Sequence, residues 1–359
     1  MRCRLLFGLC GVFGLLAPAV MALPACTSPG APPARESARS VPPPANAKPL
    51  TWATKLDRDH PLVGRIWSVR EGRFVEEREL TAGLRGYVLL GEKHDNPDHH
   101  ALQARLLRAM VDAGRRPVVA FEMFDVDDQP AIDASRRDHP RDAGSLGAAV
   151  KWEKSGWPPW TDYAPLAQIA MDVDVPIIAT GLPRSRMLAL MKPAADAGAA
   201  PPDGASPAPA VDRLTEARST LDEGTPLTTE QEASLRDELR ESHCGHLPEA
   251  RIGGMIRFQR ARDAAMASAL IAAANAARAD DGVLIAGTGH TRRDRGAGRD
   301  LVTRDPKRPV QSIAFAEVEA GKTDPHAYGS RWNTTTLPFD FVWFTPRATD
   351  DDPCAGFAH

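Results

Sequence analysis

Residues 87–100 read Tyr-Val-Leu-Leu-Gly-Glu-Lys-His-Asp-Asn-Pro-Asp-His-His, an apolar run that ends abruptly in acids, imidazoles and turn residues. Four apolar or aromatic residues bounded by Gly91 predict a strand that is buried on both faces. The Asn-Pro-Asp at 96–98 supplies an N-cap, a first-turn proline and an acid for a following helix. Strand, polar turn and helix predict the first half of a βαβ unit. Glu92 and His94 then fall at the end of the strand, where open parallel sheets bind ligands.

Further apolar runs predict the rest of a mainly parallel sheet. A hairpin is expected around Glu71 and Gly72, and strands are expected at 118–124, 175–179, 282–287, 310–318 and 339–344. Helical spacing predicts helices at 228–242 and 249–277, within a helical subdomain of about 228–279. Between the third and fourth long strands, residues from about 192 to 210 are rich in Ala, Pro, Gly and Asp, which predicts a disordered insertion.

The ends of these strands carry Glu92, His94, Glu122 and His290, which converge on one rim if the strands are parallel. Two imidazoles and two carboxylates can bind a transition metal, carry out general acid and base catalysis on water, or form a static polar network. The sequence leaves these three alternatives open. The adjacent His99 and His100 are expected to be solvated or to lie on the rim.

Composition limits the classes of function. The chain has 359 residues, of which 43% are hydrophobic and 25% charged, so it can bury a substantial core as one elaborated domain. Its formal net charge of −3 gives no electrostatic case for nucleic acid as a partner.

The N-terminus predicts export. Two arginines precede an apolar stretch from Leu5 to Ala22, which is typical of a signal peptide covering residues 1–25. Leu-Pro-Ala-Cys at 23–26 resembles a bacterial lipobox, which predicts a lipid on Cys26 and, with Thr27 next to it, an outer-membrane lipoprotein. The Pro- and Ala-rich residues 26–50 would then be a tether that leads to a single domain at 51–359. Ordinary secretion with a free or paired Cys26 thiol is the alternative.

Two cysteines remain for the exported domain, because Cys3 and Cys10 leave with the signal peptide and Cys26 carries lipid. In an oxidising compartment, Cys244 and Cys354 predict one disulfide. Two free thiols are the alternative.

Aromatic and cationic residues suggest a ligand. Trp152, Trp157 and Trp160 cluster in a proline-rich loop before Tyr163, and the prolines should present these rings at the surface. Arginines follow His290, at positions 292, 293 and 295. A flat, acidic, apolar ligand such as haem would need both features, because a phenolate is a known haem ligand and propionates favour arginine. The alternatives are core packing of the tryptophans and ion pairs of the arginines with Asp294 and Asp300.

Four motifs together resemble the ChaN family of iron-regulated, haem-binding lipoproteins. They are GEKHDNPDHH at 91–100, WEKSGWP at 152–158, QRARD at 259–263 and GTGHTRRD at 287–294. The similarity covers nearly everything from about Gly64 to Phe357 except the insertion. It implies a three-layer α/β/α domain with a mainly parallel central sheet and a helical addition.

The resemblance also implies a cofactor and partners. It implies haem uptake or storage, with a tyrosine as iron ligand across a homodimer, on an outer-membrane lipoprotein that faces the periplasm or the cell surface. Outer-membrane haem or iron transport machinery is a further implied partner. Tyr163 is the candidate ligand and Tyr328 the second candidate; the other candidate haem contacts are Trp157, Trp160, His94, His290, Arg292 and Arg293.

Relatives in the same superfamily support an enzyme as the alternative function. Erythromycin-esterase-like and Tiki-like hydrolases share a Gly-Glu-x-His or Gly-x-x-His style of strand end. The alternative function is therefore a cell-envelope hydrolase, esterase-like or metalloprotease-like, with or without a divalent metal. Its candidate catalytic residues are Glu92, His94, Glu122 and His290. A departure from the ChaN relatives is Gly181, where they tend to have Asn before Leu-Pro-Arg.

Overall fold

The apolar runs assemble into one eight-stranded sheet in the computed structural model, which describes residues 49–183, 222–352 and 354–355. The strands are β1 (Ile66–Ser68), β2 (Arg73–Val75), β3 (Tyr87–Glu92), β4 (Val118–Asp125), β5 (Ile177–Gly181), β6 (Gly282–Gly287), β7 (Val310–Glu317) and β8 (Phe341–Thr345). Their order across the sheet is β2-β1-β8-β7-β3-β6-β4-β5. From β8 to β5 all neighbours are parallel, whereas β1 is antiparallel to both β8 and β2. The predicted mainly parallel sheet is confirmed.

Helices cover both faces of this sheet. They are α1 (Glu77–Gly83), α2 (Pro97–Asp112), α3 (Gln129–Asp138), α4 (Ala143–Ala149), α5 (Trp160–Asp172), α6 (Thr229–Ser242), α7 (Glu249–Ala277), α8 (Thr288–Thr291) and α9 (Ala297–Arg304). Alternate residues of β3 belong to different cores. Val88 and Leu90 pack with residues of α2 and α5, whereas Tyr87 and Leu89 pack with residues of α7 and α9. Three α/β/α layers result, as predicted.

Strand β3 runs further than its apolar residues suggest, because Gly91 and Glu92 belong to it. A Cβ on Gly91 would lie 2.2 Å from Thr291 Oγ1 in α8. Glycine therefore allows α8 to approach the end of the central strand, and this places His290 beside the ends of β3 and β4.

The helical addition consists of α6 and α7, which match the predicted helices closely. Apolar residues of the two helices pack together in a small core of their own, which contains Leu235, Leu239, Ile252 and Ile256. The predicted signal peptide, almost all of the tether and the predicted insertion lie outside the described residues. Among the described helices, none is both long enough and apolar enough to span a membrane.

The predicted disulfide is present. Cys244 follows α6 and Cys354 lies near the C-terminus, and their Cα atoms are 5.6 Å apart across 110 residues of sequence. The bond therefore ties the turn between α6 and α7 to the C-terminal segment.

We expect Cys244→Ser with Cys354→Ser to lower the free energy of unfolding by about 2–4 kcal/mol, because the unfolded chain loses a long covalent loop. Urea unfolding of the oxidised protein measures this difference. The reduced wild type is the control and should match the double variant. Equal stability of the oxidised wild type and the variant would contradict the prediction.

Candidate functional site

The four predicted rim residues come together where β3, β4 and β6 end. His94 Nε2 lies 3.9 Å from Glu122 Oε1, and His290 Nε2 lies 3.5 Å from the same oxygen. Glu92 is the last residue of β3, and His290 lies in α8 directly after β6. The convergence arises because parallel strands end at one edge of the sheet.

The Glu92 carboxylate is buried and accepts three hydrogen bonds, with a fourth polar group, His100 Nδ1, close by. Its Oε1 accepts from His94 Nδ1 at 2.8 Å and from the Tyr163 hydroxyl at 2.7 Å. Its Oε2 accepts from Gln103 Nε2 at 2.6 Å and lies 3.2 Å from His100 Nδ1. A carboxylate has about four acceptor positions, so three hydrogen bonds and the nearby His100 nitrogen satisfy most of them. Burial raises the pKa of Glu92, but the charge of His100 and the hydrogen bonds from both histidines outweigh it and lower the pKa overall.

Glu122 holds the opposite side of the rim. Its Oε2 accepts from the Gly287 backbone N–H at 2.7 Å, and its Oε1 accepts from the Arg262 guanidinium. Burial raises the pKa of Glu122, but the charges of His290 and Arg262 outweigh it and bring the pKa to about 2. Glu122 therefore stays ionised over the whole physiological range.

Helix α7 contributes side chains that the sequence did not identify as part of the site. Asp263 Oδ1 lies 2.6 Å from His290 Nδ1, and Gln259 Nε2 lies 3.2 Å from His290 Nε2. Burial raises the pKa of Asp263, and the charge of His290 only partly offsets this. The available signal was the QRARD motif at 259–263, which carries the family resemblance but was not assigned to the site.

His94 is the rim imidazole that meets solvent, because 34% of its side chain is exposed. Its ring packs edge-on against Trp157, with the ring centroids 4.8 Å apart. Its Nε2 forms no hydrogen bond with any described residue, and an ideal Cβ at Gly287 would lie only 3.0 Å from it. Burial lowers the pKa of His94, but the hydrogen bond to Glu92 and the charge of Glu122 raise it overall.

Comparison with known proteins identifies the family. The profile of the family described as haem-binding uptake, Tiki superfamily, ChaN matches residues 82–301. The chain belongs to the ChaN family. No curated protein matches its sequence.

A solved structure of ChaN shares the fold of this chain. ChaN of Campylobacter jejuni, reported with cofacially bound haem, is 20% identical with a TM-score of 0.56, over 77% of this chain and 95% of that one. An erythromycin esterase EreC mutant is 14% identical with a TM-score of 0.42, over 77% of this chain and 94% of that one. The type III effector HopBA1 is 13% identical with a TM-score of 0.38, over 73% of this chain and 88% of that one.

The tyrosines of this ChaN protein are not placed to ligate iron. Tyr163 and Tyr328, the two predicted ligands, are fully buried, and so is Tyr87. The Tyr163 hydroxyl donates to Glu92, and burial together with the Glu92 charge raises the pKa of Tyr163 far above its usual value. The Tyr328 hydroxyl donates to Lys322 O at 3.1 Å. The predicted tyrosine ligands therefore do not fit this geometry.

The proline-rich loop with Trp152, Trp157 and Trp160 exposes fewer aromatic rings at the surface than predicted. Trp152 is buried and packs 4.8 Å from Trp160, and their indole N–H groups donate to Pro158 O and Ala143 O. A Cβ on Gly147 would lie 2.6 Å from the Trp160 ring, so α4 also closes over it. Backbone carbonyls therefore accept hydrogen bonds from two of the three indoles, and these two rings turn inward.

The arginines after His290 are engaged within the protein. Arg292 is fully buried, and it pairs with Asp294 at 2.6 Å and with Glu238 of α6 at 2.9 Å. Arg293 pairs with Asp340 at 2.8 Å. The prediction that these side chains form a free cationic tip for propionates is wrong, and the ion-pair alternative holds for Asp294.

The histidines at the start of α2, for which a solvated or a rim position was predicted, are both buried, and His100 lies against Glu92 of the rim. His99 Nδ1 accepts from the Lys93 backbone N–H at 2.9 Å, and its Nε2 lies 2.9 Å from Thr345 Oγ1. Burial, followed by the charge of His100, lowers the pKa of His99 well below its usual value. His100 Nε2 donates to His94 O at 2.9 Å. Both rings therefore fix the loop that carries His94.

The two remaining expectations from the sequence concern the departure at Gly181 and a possible divalent metal. At Gly181, where relatives tend to have Asn, a Cβ would lie 2.5 Å from Glu122 O, so a larger residue would move the β4 backbone beside the site. The described residues contain no group of three or more His, Cys, Asp or Glu side chains arranged to hold a metal ion.

We expect Tyr163→Phe to lower the free energy of unfolding by about 1–3 kcal/mol, because it removes a donor from a buried carboxylate. Tyr328→Phe is the matched control, since it removes an equally buried hydroxyl that contacts only backbone groups. Its cost should be about 0.5–1.5 kcal/mol. Urea unfolding measures both, and an equal or smaller loss for Tyr163→Phe would refute the role of Glu92 as a shared buried acceptor.

Proposed function

We propose that this chain binds haem at the strand-end rim, with His94 as the ligand of the iron. Membership of the ChaN family over residues 82–301 supports haem as the ligand. We choose His94 because of the exposure and the hydrogen bonding of its ring. Its ring is partly exposed, Nδ1 is bonded to Glu92, and Nε2 forms no hydrogen bond with any described residue.

The donor set fits this role. Imidazole is an established type of haem ligand. Metal-binding histidines usually bond their second ring nitrogen to a carboxylate, which fixes the ring and raises its basicity. Glu92 provides that carboxylate, and the half-buried Trp157 beside His94 offers an aromatic wall. Bound haem would supply the iron chemistry, while His94 and Glu92 would fix the orientation of the ligand.

The cellular role that we propose is haem or iron uptake or storage at the outer membrane. It is supported by the signal-like N-terminus and by the lipobox-like Leu-Pro-Ala-Cys ending at Cys26. The disulfide also suits an oxidising compartment. We propose pairing into a homodimer and delivery to outer-membrane transport machinery on the family resemblance alone.

A cell-envelope hydrolase is the second candidate. It is favoured by the 3.9 Å separation of His94 Nε2 and Glu122 Oε1 and by the Asp263–His290 pair beside it. An exposed imidazole that is oriented by a carboxylate can act as a general base on water. In that case His94→Ala should abolish ester hydrolysis by a folded protein that binds no haem.

We expect residues 43–359 to show a saturable Soret shift on titration with haem. His94→Ala should weaken this binding by at least about tenfold, because it removes the ligand that Glu92 orients. Tyr163→Phe and Tyr328→Phe are the controls and should keep the wild-type spectrum. Circular dichroism confirms that each variant is folded. Loss of binding in a tyrosine variant, with none in His94→Ala, would refute His94 as the ligand.

We expect the full chain, expressed in a bacterium, to carry lipid on Cys26 and to fractionate with the outer membrane. Mass spectrometry of the N-terminal peptide measures the lipid. Cys26→Ser should lose the lipid, and Cys244→Ser is the control and should keep it. An unmodified Cys26 in the exported protein would contradict the lipoprotein proposal.

A further inference from the structure

A row of cations lies where the parallel strands begin, at the end of the sheet opposite the rim. Lys307, Arg85, Arg278 and Arg116 precede β7, β3, β6 and β4, which are consecutive neighbours in the sheet. The strands start level with one another, since Tyr87 lies opposite both Gly282 and Val310, and Val118 also lies opposite Gly282. With strands about 4.8 Å apart, the four starts span roughly 15 Å. We call these four residues the basic edge.

Two of the carboxylates next to the basic edge, Asp281 and Asp305, are used within the protein. Asp281 accepts from Arg115 Nε at 2.6 Å and from the Gly86 N–H at 2.7 Å. Asp305 accepts from the Tyr87 hydroxyl at 2.9 Å and also pairs with Arg308. Their negative charge is therefore already matched by arginines.

The four cations of the basic edge remain exposed and unmatched. None has a described carboxylate within 4 Å, and all four side chains belong to exposed residues. Asp280 and Asp112, which lie close in sequence to Arg278 and Arg116, are exposed carboxylates that likewise form no ion pair with a described residue. The chain as a whole has a formal charge of −3, so this positive edge is a local feature and not a property of the average surface.

A cavity of about 460 Å³ opens beside the basic edge. Its lining residues are mostly polar and cationic: Ile271, Asn275, Arg304, Asp305, Lys307 and Arg308. Arg304 pairs with Asp222 and Arg308 with Asp305, which leaves Lys307 as the lining cation without a described partner. A phosphate-sized anion can therefore enter the cavity next to a free ammonium group.

We propose that the basic edge rests on a membrane surface of anionic lipid headgroups. Lys and Arg side chains near such a surface are attracted to it without needing shape complementarity. The four cations lie in a row over four strand starts. This arrangement suits binding to a flat, charged surface better than binding to one acidic protein segment in a groove. The predicted lipid anchor at Cys26 would place this domain beside a membrane. Haem binding is not required for the proposal.

The proposal fixes the orientation of the site. Parallel strands of about six residues separate the two edges by roughly 20 Å. With the basic edge on the lipid, His94 and the rest of the rim face away from the membrane. The haem site would then be open to soluble partners.

Vesicle binding by residues 43–359 tests the proposal without the lipid anchor. The hydrophobic clusters of the described residues are built from Leu50 onward, so this part carries its own cores. We expect it to sediment with phosphatidylcholine vesicles that contain phosphatidylglycerol, at low salt but not at high salt. The quadruple variant Arg85→Gln, Arg116→Gln, Arg278→Gln and Lys307→Gln should bind at least about tenfold more weakly.

A matched quadruple variant removes the same charge elsewhere. Lys55→Gln, Arg70→Gln, Arg141→Gln and Arg251→Gln change exposed cations that have no described carboxylate partner, and this variant should bind the vesicles like the wild type. Equal losses in the two variants would overturn the proposal, as would equal binding to vesicles without phosphatidylglycerol. Retention on polyglutamate without any vesicle binding would also overturn it, in favour of an acidic protein. The basic-edge variant should keep its haem titration curve.

Discussion

The buried carboxylate of Glu92 is the interaction on which the candidate site depends. An ionised carboxylate in the protein interior costs several kcal/mol unless its oxygens are fully bonded. The donors to Glu92 come from the loop after β3, from α2 and from α5, through His94, Gln103 and Tyr163 with His100 close by. One charge at the end of the central strand therefore sets the position of two helices and of the imidazole that meets solvent. Displacing either helix would leave part of that charge unsatisfied.

Glu122 extends the same constraint to the other layer of the fold. It binds the end of β6 through the Gly287 N–H and binds α7 through Arg262. Because α2 and α5 lie on one face of the sheet and α7 on the other, the two glutamates fix both helical layers at a single edge. The rim is therefore held by buried ion pairs and hydrogen bonds as well as by apolar packing. A partly exposed His94 within such a frame is preorganised, whether it binds iron or moves a proton.

Local sequence patterns were sufficient for the fold and for the composition of the rim. The bounds of α7 and β6 match the prediction because helical spacing and a short apolar run between glycines are local signals. Glu92 and His94 could be placed because a parallel strand ends where its apolar run stops. The burial of Tyr163 against Glu92 could not be predicted, because the two residues lie 71 positions apart in sequence. For Arg292, the nearby ion pair with Asp294 was among the alternatives, but the pair with Glu238, 54 residues away, was not. Tertiary packing determines which partners the polar ends of such side chains bond, and the periodicity of the sequence does not encode these partners.

Membership of the ChaN family determines the architecture more firmly than the roles of individual residues, since sites vary on a shared fold. In this chain the phenol of Tyr163 is already committed as a proton donor to Glu92. Ligation of iron by its phenolate would remove that donor and place a second negative charge beside a carboxylate that is itself ionised. His94 meets neither obstacle, because its bond to Glu92 uses Nδ1, and its Nε2 forms no hydrogen bond with a described residue. The hydrogen bonds that disqualify the tyrosine therefore favour the imidazole, and the same carboxylate accounts for both.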